Sequence, residues 1–332
     1  MKILRLGDPH TKPNNLKESH ALMQFVLDKA LELKVNRVEI LGDIYDTHAV
    51  VRLEVLEFWQ NWFETLSAEE FKTVILVGNH DLTGNYSSSY SALHPFLYIQ
   101  DGQRRWDQGI KIVHEPYLDG IYGYLPYIHD DRKFVEEANK LADRGAKILV
   151  SHPNYKGAVY DNGTAILNGV DSDDLSPSYI QLIGGHIHTE IEIGRVWYPG
   201  NARWLTASCA NKRKGIWLCA DDENGNSLSR EFISTASVCT PIVSVVWKEG
   251  AEKPEIIPNT KTHIELIGSS DWVTAQKLDL KGVSISSKIT DTKKSRTRKS
   301  GKSLDDFLSN HYQMEPEMRD KVVKYLGDLK IG

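Results

Sequence analysis

The sequence reads as an α/β protein built in layers, on three grounds. Over the first 220 residues short apolar runs alternate with stretches of helical period, the pattern of strand–helix units. After Cys219 the pattern changes to polar turn signals between apolar runs, as in a smaller strand-rich unit. The 332 residues, 40% hydrophobic and 26% charged, have ordinary globular composition and allow two domains.

The elements follow in order. Ile3 to Leu6 is a strand, and a helix is expected from about Leu16 to Lys34. There Met23, Val26, Leu27 and Ala30 recur at i, i+3, i+4 and i+7, one face of a helix. A strand from Val38 to Leu41 precedes a helix near Leu53 to Leu66, with Val55, Phe58, Trp59 and Trp62 at the same spacing. Further strands are expected at Val74 to Val77, Ile121 to Leu125, Ile148 to Val150 and Tyr179 to Ile183. The run from Asp221 to Asn226 is a hairpin turn, and Ile242 to Trp247, Ile264 to Ile267 and Val283 to Ile285 are strands. The expected division is a main domain over 1–220, a small α+β domain over 221–287, a basic linker over 288–302 and a helical segment over 303–332.

The linker holds seven Lys or Arg against one Asp, a local charge of +6. It reads either as a solvated linker or as a contact for DNA phosphates. Beyond it, Ser303 and Asp306 fit a capping-box-like helix start, with Leu304, Phe307 and Leu308 as an apolar stripe. Pro316 suits the first turn of a second helix, where Val322, Tyr325, Leu326 and Leu329 share a face. Thirty residues behind a polar linker cannot build an adequate core. They fold back on the body or dock on a partner, and the partner is the reading taken.

Composition excludes some classes. A net charge of −5 gives no global attraction to DNA or acidic membranes, although it leaves room for local patches. No apolar run is long enough to span a membrane, and Asp8 comes too early for a signal peptide. Three widely spaced cysteines, Cys209, Cys219 and Cys239, make no metal-binding pair. A soluble chain in the reducing cytoplasm is expected.

Chemistry is concentrated in five motifs just beyond expected strands: Asp8-Pro9-His10, Gly42-Asp43-Ile44-Tyr45-Asp46, Gly78-Asn79-His80-Asp81, Ser151-His152 and Gly184-Gly185-His186-Ile187-His188. Each is weak alone, since a histidine or a Gly-Asp step after a strand is commonly structural. Five in order, at the strand ends where α/β folds gather ligands, point to a shared site. Carboxylate, imidazole and amide oxygen without thiolate suit manganese, iron or zinc. So many donors imply two ions bridged by a carboxylate, an arrangement suited to in-line displacement at phosphorus.

These motifs in this order resemble the calcineurin-like metallophosphoesterase superfamily over roughly residues 1–220. The resemblance implies a four-layer αββα sandwich. It implies that Asp8, His10 and His188 bind one metal, that Asp43 bridges, and that Asn79, His152 and His186 bind the second. His80 would be the general acid that protonates the leaving oxygen. Tyr198-Pro199-Gly200 and the step at Lys214-Gly215 are similar to the nuclease subunit of SbcCD-type DNA repair exonucleases, most of all those of bacteriophages. That likeness implies a small capping domain, terminal helices that bind an SMC-like ATPase, a homodimer formed near 50–66 and 84–100, and manganese as the usual metal, with Mg2+, Fe2+ and Zn2+ as alternatives. Asp46 stands where bacterial and phage members also carry Asp; it either orients His80 or is a turn carboxylate. Asn201 replaces the family's Ser after the Tyr-Pro-Gly step, and Pro9 stiffens the first motif.

The function expected is therefore a two-metal nuclease for double-strand-break processing and recombination. DNA contacts are sought at Lys212, Arg213 and Lys214, which otherwise make a solvated turn, and at Tyr86, Tyr90 and Trp106, which otherwise belong to the core. Two rivals remain: a phosphatase or cyclic-nucleotide phosphodiesterase, and a non-catalytic scaffold. The last hundred residues count against the first, and the intact motif positions against the second.

Overall fold

The computed structural model describes residues 1–48, 50–84, 87–97, 109–280 and 283–290. Two six-stranded sheets form the main body. In the first, β1 (Lys2–Leu6), β2 (Arg37–Ile40), β3 (Lys72–Leu76) and β6 (Ile110–Val113) run parallel. The hairpin of β13 (Gly215–Asp221) and β14 (Ser227–Ser234) adds to the far side of β1, antiparallel, with Lys2 facing Ala220. The first sheet thus continues past the boundary expected at residue 220. In the second, β8 (Tyr122–Leu125), β9 (Ile148–Ser151), β10 (Gln181–Gly184) and β12 (Val196–Tyr198) run parallel. Its antiparallel edges are β7 (Tyr117–Asp119) and β11 (Ile191–Ile193). A short hairpin, β4 (Leu82–Gly84) with β5 (Ser87–Ser91), stands apart.

Three apolar clusters define the layers. Ile3, Val74, Leu76 and Val113 of the first sheet meet Tyr124, Val150, Ile183 and Trp197 of the second. Helices α1 (Leu16–Glu32) and α2 (Leu53–Ser67) cover the outer face of the first sheet through Val26, Phe58, Trp59 and Phe63, against Leu4, Val38 and Ile75. Helix α3 (Asp131–Asp143) covers the second through Phe134, Ala138 and Leu141. The result is the αββα sandwich the resemblance implied. The helical faces read from periodicity in α1 and α2 are the buried ones.

Strand alternation gives the two faces different contents. Leu4 and Leu6 point to the helices, whereas Ile3 and Arg5 point between the sheets. Arg5, fully buried, pairs with Glu39 at 2.7 Å and Asp221 at 3.2 Å. Tyr122 donates to the same Asp221 oxygen at 3.1 Å, so the inter-sheet layer holds a charged cluster as well as apolar side chains.

After the sandwich come β15 (Ile242–Lys248), β16 (Lys261–Gly268), helix α4 (Ser270–Asp279) and β17 (Ser284–Ile289), the strands forming a three-stranded sheet. The chain divides into two compact units, the larger comprising Met1–Val246, Glu252–Glu265 and Gly282–Ser286. In the smaller, Ser269 caps α4 through Trp272 N, and Trp247 meets Trp272 edge to face at 5.3 Å. The stretch 291–332 lies outside the described residues, as do Tyr86 and Trp106. That includes most of the expected basic linker and all the expected partner-binding positions, Leu304, Phe307, Leu308, Val322, Tyr325, Leu326 and Leu329.

Candidate metal centre

The five motifs converge at the carboxyl ends of parallel strands from both sheets. Asp8 and His10 follow β1, Asp43 follows β2, and Asn79 and His80 follow β3; His152 follows β9, and His186 and His188 follow β10. Their donor atoms form three overlapping clusters: Asp8 with His10 and His188, His10 with Asp43 and His80, and Asp43 with His152 and His186. Within each cluster the donors lie within 4.8 Å of one another. Asn79 joins through its Oδ1, 2.8 Å from His186 Nδ1.

The backbone is bent to allow this. Asp8, His10, Asp43 and His186 all take positive φ, a region that costs an L-residue of order 1–3 kcal/mol and collects at functional sites. Two glycines admit the close approach. A Cβ on Gly42, at φ +105°, would lie 2.5 Å from His152 Nδ1, and one on Gly78 would lie 2.2 Å from Asp43 Oδ1. Asp81 ties the loops together, accepting from Tyr45 N at 3.0 Å and Gly78 N at 2.8 Å. Burial, reinforced by Asp43, pushes its carboxyl up to about 8.

The donor set fits divalent cations. Asp8 Oδ1, His10 Nδ1 and His152 Nε2 are buried without a hydrogen-bond partner, a costly arrangement unless something else binds them. His10 Nε2 and His188 Nε2 approach to 3.0 Å. Desolvation, helped by neighbouring imidazoles, lowers His186 to about 3 and His188 to about 4, and takes His10 well below its ordinary value. All three are then neutral near pH 7, the form that ligates metal. Burial pushes Asp8 up to about 7. Burial also opposes charge on His152, but Asp43 and Asp8 outweigh it and hold that imidazole at about 10. Burial likewise works against the Asp43 carboxylate, and His152 reverses it, taking Asp43 well below the usual range. The proton on His152 thus occupies a position where the carboxylates call for positive charge.

An open cleft of about 290 Å³ gives access, lined by Asp43, His80, His186 and His188 and by Tyr160, Asp161 and Thr206. Asp161, which the sequence did not single out, accepts from Cys209 Sγ and Lys212 Nζ and lies 3.9 Å from His188 Nδ1. Its carboxyl is lowered to about 2: burial opposes this, but Cys209, Lys214 and Thr189 prevail.

Two expected roles come out differently. The Asp46 carboxylate does not reach His80; it pairs with Lys12 at 2.9 Å and stands 3.6 Å from His10 Nδ1. His80 Nδ1 meets instead the main-chain carbonyl of Asp46, at 2.8 Å. The basic triplet is not a free patch either. Lys212 is held by Asp161 and Thr189, Arg213 pairs with Glu190 over the Phe232 ring, and Lys214 is 1% exposed, donating to the His188 carbonyl. Alternating directions in a chain entering β13 put Lys212 and Lys214 on the side of Asp161, at 3.0 and 3.8 Å, and Arg213 on the other. Lys214 in particular has no surface from which to meet a phosphate. Tyr90 is exposed and stacks on His94 at 4.3 Å.

Comparison with known proteins supplies the family. The model of the calcineurin-like phosphoesterase family matches residues 1–190. The chain is 26% identical over 230 residues to "Exonuclease subunit 1" of Enterobacteria phage T4, spanning 66% of this chain and 64% of that protein. It is 25% identical over 217 residues to "Putative phosphoesterase 244L" of Invertebrate iridescent virus 6, spanning 60% and 69%. Among solved structures, GAP50, the anchor in the inner membrane complex of Plasmodium, is 14% identical with a TM-score of 0.40, over 70% of this chain and 88% of that one. With more than half of its length matched by the family model, the chain belongs to the calcineurin-like phosphoesterase family and is a hydrolase of phosphoester bonds.

Proposed function

We propose that this hydrolase is a two-metal-dependent DNA nuclease that works in the cytoplasm as the nuclease subunit beside an SMC-like ATPase. The observation that carries the metal assignment is the position of Asp43, common to the cluster with His10 and the cluster with His152 and His186. Asp8, His10 and His188 would hold one cation, Asn79, His152 and His186 the other, with Asp43 between them. Bound there, two divalent cations, Mn2+ by preference, supply Lewis acidity for charge on phosphoryl oxygens and lower the pKa of water. Likeness to a phage protein named as an exonuclease subunit supports DNA as substrate and a partner subunit.

The chain's own groups perform the remaining tasks. His80 Nδ1 donates its proton to the Asp46 carbonyl, which leaves Nε2 as the ring atom that delivers a proton to the departing sugar oxygen. Lys12 holds the Asp46 side chain, steadying the loop that carries that carbonyl. Val50, Leu53 and Tyr90, 67%, 80% and 57% exposed, lie in the two segments where the family resemblance places a homodimer contact. Light scattering at micromolar concentration should then give twice the chain mass.

The deciding experiment is manganese-dependent cleavage of an end-labelled linear duplex, run beside His80→Gln. Loss of label that requires both manganese and His80 supports the nuclease. Hydrolysis of small phosphoesters with no cleavage of DNA, with or without the partner, would overturn it.

A further inference from the structure

The proposed proton donor is held by more than its hydrogen bond. His48, half-buried in the loop after β2, stacks on His80 with ring centroids 4.5 Å apart and planes 21° from parallel. The same loop supplies the Asp46 carbonyl that accepts from His80 Nδ1. On another side His10 meets His80 edge-on, at 4.8 Å and 88°. One hydrogen bond fixes a point on a ring but leaves the ring free to swing about it. A face contact removes that swing.

His48 gains little from its position otherwise. Its Nδ1 is buried with no hydrogen-bond partner, a cost set against the ring contact. The turn that presents it is closed by Thr47 Oγ1 donating to the Val50 carbonyl at 2.6 Å and by Val50 N donating to the His48 carbonyl. The loop therefore spends local hydrogen bonds and a buried nitrogen to put an imidazole face on His80.

We propose that His48 is a positioning residue that, by stacking, fixes the plane of the His80 ring so that Nε2 meets the leaving oxygen. The proposal rests on the reading of His80 as the proton donor in phosphodiester cleavage. It requires a ring at position 48 and assigns no proton transfer to His48 itself.

The test uses the full chain with manganese and two substrates. One is a p-nitrophenyl phosphodiester, whose phenolate departs without a proton. The other is a dinucleotide, whose sugar alkoxide needs one. His48→Ala should lower kcat on the dinucleotide roughly tenfold, part of the roughly 10²–10⁴-fold that a general acid supplies. KM, manganese content and the rate on the aryl ester should change little. His48→Phe, which restores the ring, should recover most of the loss, and His48→Asn, which restores only polarity, should not.

Equal losses on both substrates, rescue by Asn rather than Phe, or no loss in His48→Ala would overturn the proposal and leave the nuclease reading intact. His80→Gln, assayed alongside, should show the same contrast between substrates, but larger. If it shows none, the general-acid reading falls and this proposal with it. A wild-type chain that hydrolyses the aryl ester but cuts neither dinucleotide nor duplex would instead count against the nuclease reading, and would remove the proposal too.

Discussion

His152 Nδ1 donates to the carbonyl oxygen of Leu41 at 2.6 Å, which turns Nε2 toward Asp43 Oδ2 at 3.2 Å. Nε2 and the Asp43 carboxylate thus face the same point, as co-ligands of one cation would, with His186 in the same cluster. The Leu41 carbonyl thereby sets ring orientation in the way outer hydrogen bonds do at metal centres.

Metal loading should release protons. In the metal-free protein Asp8, raised to about 7, and His152, raised to about 10, carry protons that a cation must displace. His186 and His188, at about 3 and about 4, carry none near neutrality. Titration calorimetry with Mn2+ at pH 7 in buffers of different ionisation enthalpy should give at least about one proton released, with affinity rising toward pH 9. Buffer-independent heats would contradict this.

The same values fix the sign of the pH dependence of stability without metal. A folded pKa above the unfolded one contributes stability at low pH that is lost as pH rises through the folded value. For Asp8 that loss runs from about 4 to about 7, and for His152 from about 6.5 to about 10. The depressed histidines act oppositely, costing stability as pH falls below about 6.5. The melting temperature in EDTA should therefore fall between pH 7 and pH 9, and manganese should reduce that fall.

Asp43→Asn should remove activity and metal together. Asp43 belongs to two of the three donor clusters, so its loss weakens both sites at once. Elemental analysis should find two ions per wild-type chain and fewer than about one in the variant. A variant that keeps full occupancy yet is inactive would refute the bridging assignment.

Gly42→Ala should damage the centre without removing a donor. The added methyl would lie 2.5 Å from His152 Nδ1, on a residue at φ +105°. A cost of about 1–3 kcal/mol is expected from the backbone alone, together with at least tenfold weaker manganese binding. Chemical unfolding and a manganese titration would each report it.

Arg5→Met should destabilise the sandwich by about 3–5 kcal/mol, because it leaves Asp221 buried without its cation and Glu39 with only Arg37, at 3.6 Å. Adding Glu39→Leu should recover part of the loss in urea unfolding. Additive costs would show that the pair is not coupled.

What was legible in the sequence follows from local signals. The helical faces of α1 and α2 carry large apolar residues at regular spacing, and the donors stand directly after strands, so both could be read in order. Helix α3 escaped because its buried face includes Ala138 and Ala142, which contrast little with its polar residues. Strands β7 and β11 have three residues each, too few to show alternation. Arg5 and Glu39 were visible as polar residues in strands, but their pairing spans 34 positions and that with Asp221 spans 216. Asp161 and His48 are single residues in aperiodic loops, where only the fold reveals their neighbours.

The placement of β1 between β2 and β13 has a consequence for how the protein is made. A chain leaving the ribosome presents Asp8 and His10 early, but His152, His186 and His188 emerge some 140 to 180 residues afterwards. The strand that completes the first sheet beside β1 ends later still, at Asp221. Domains fold as units once their parts are available. A partly translated chain therefore carries no working hydrolase, and the activity appears only when the sandwich is nearly finished.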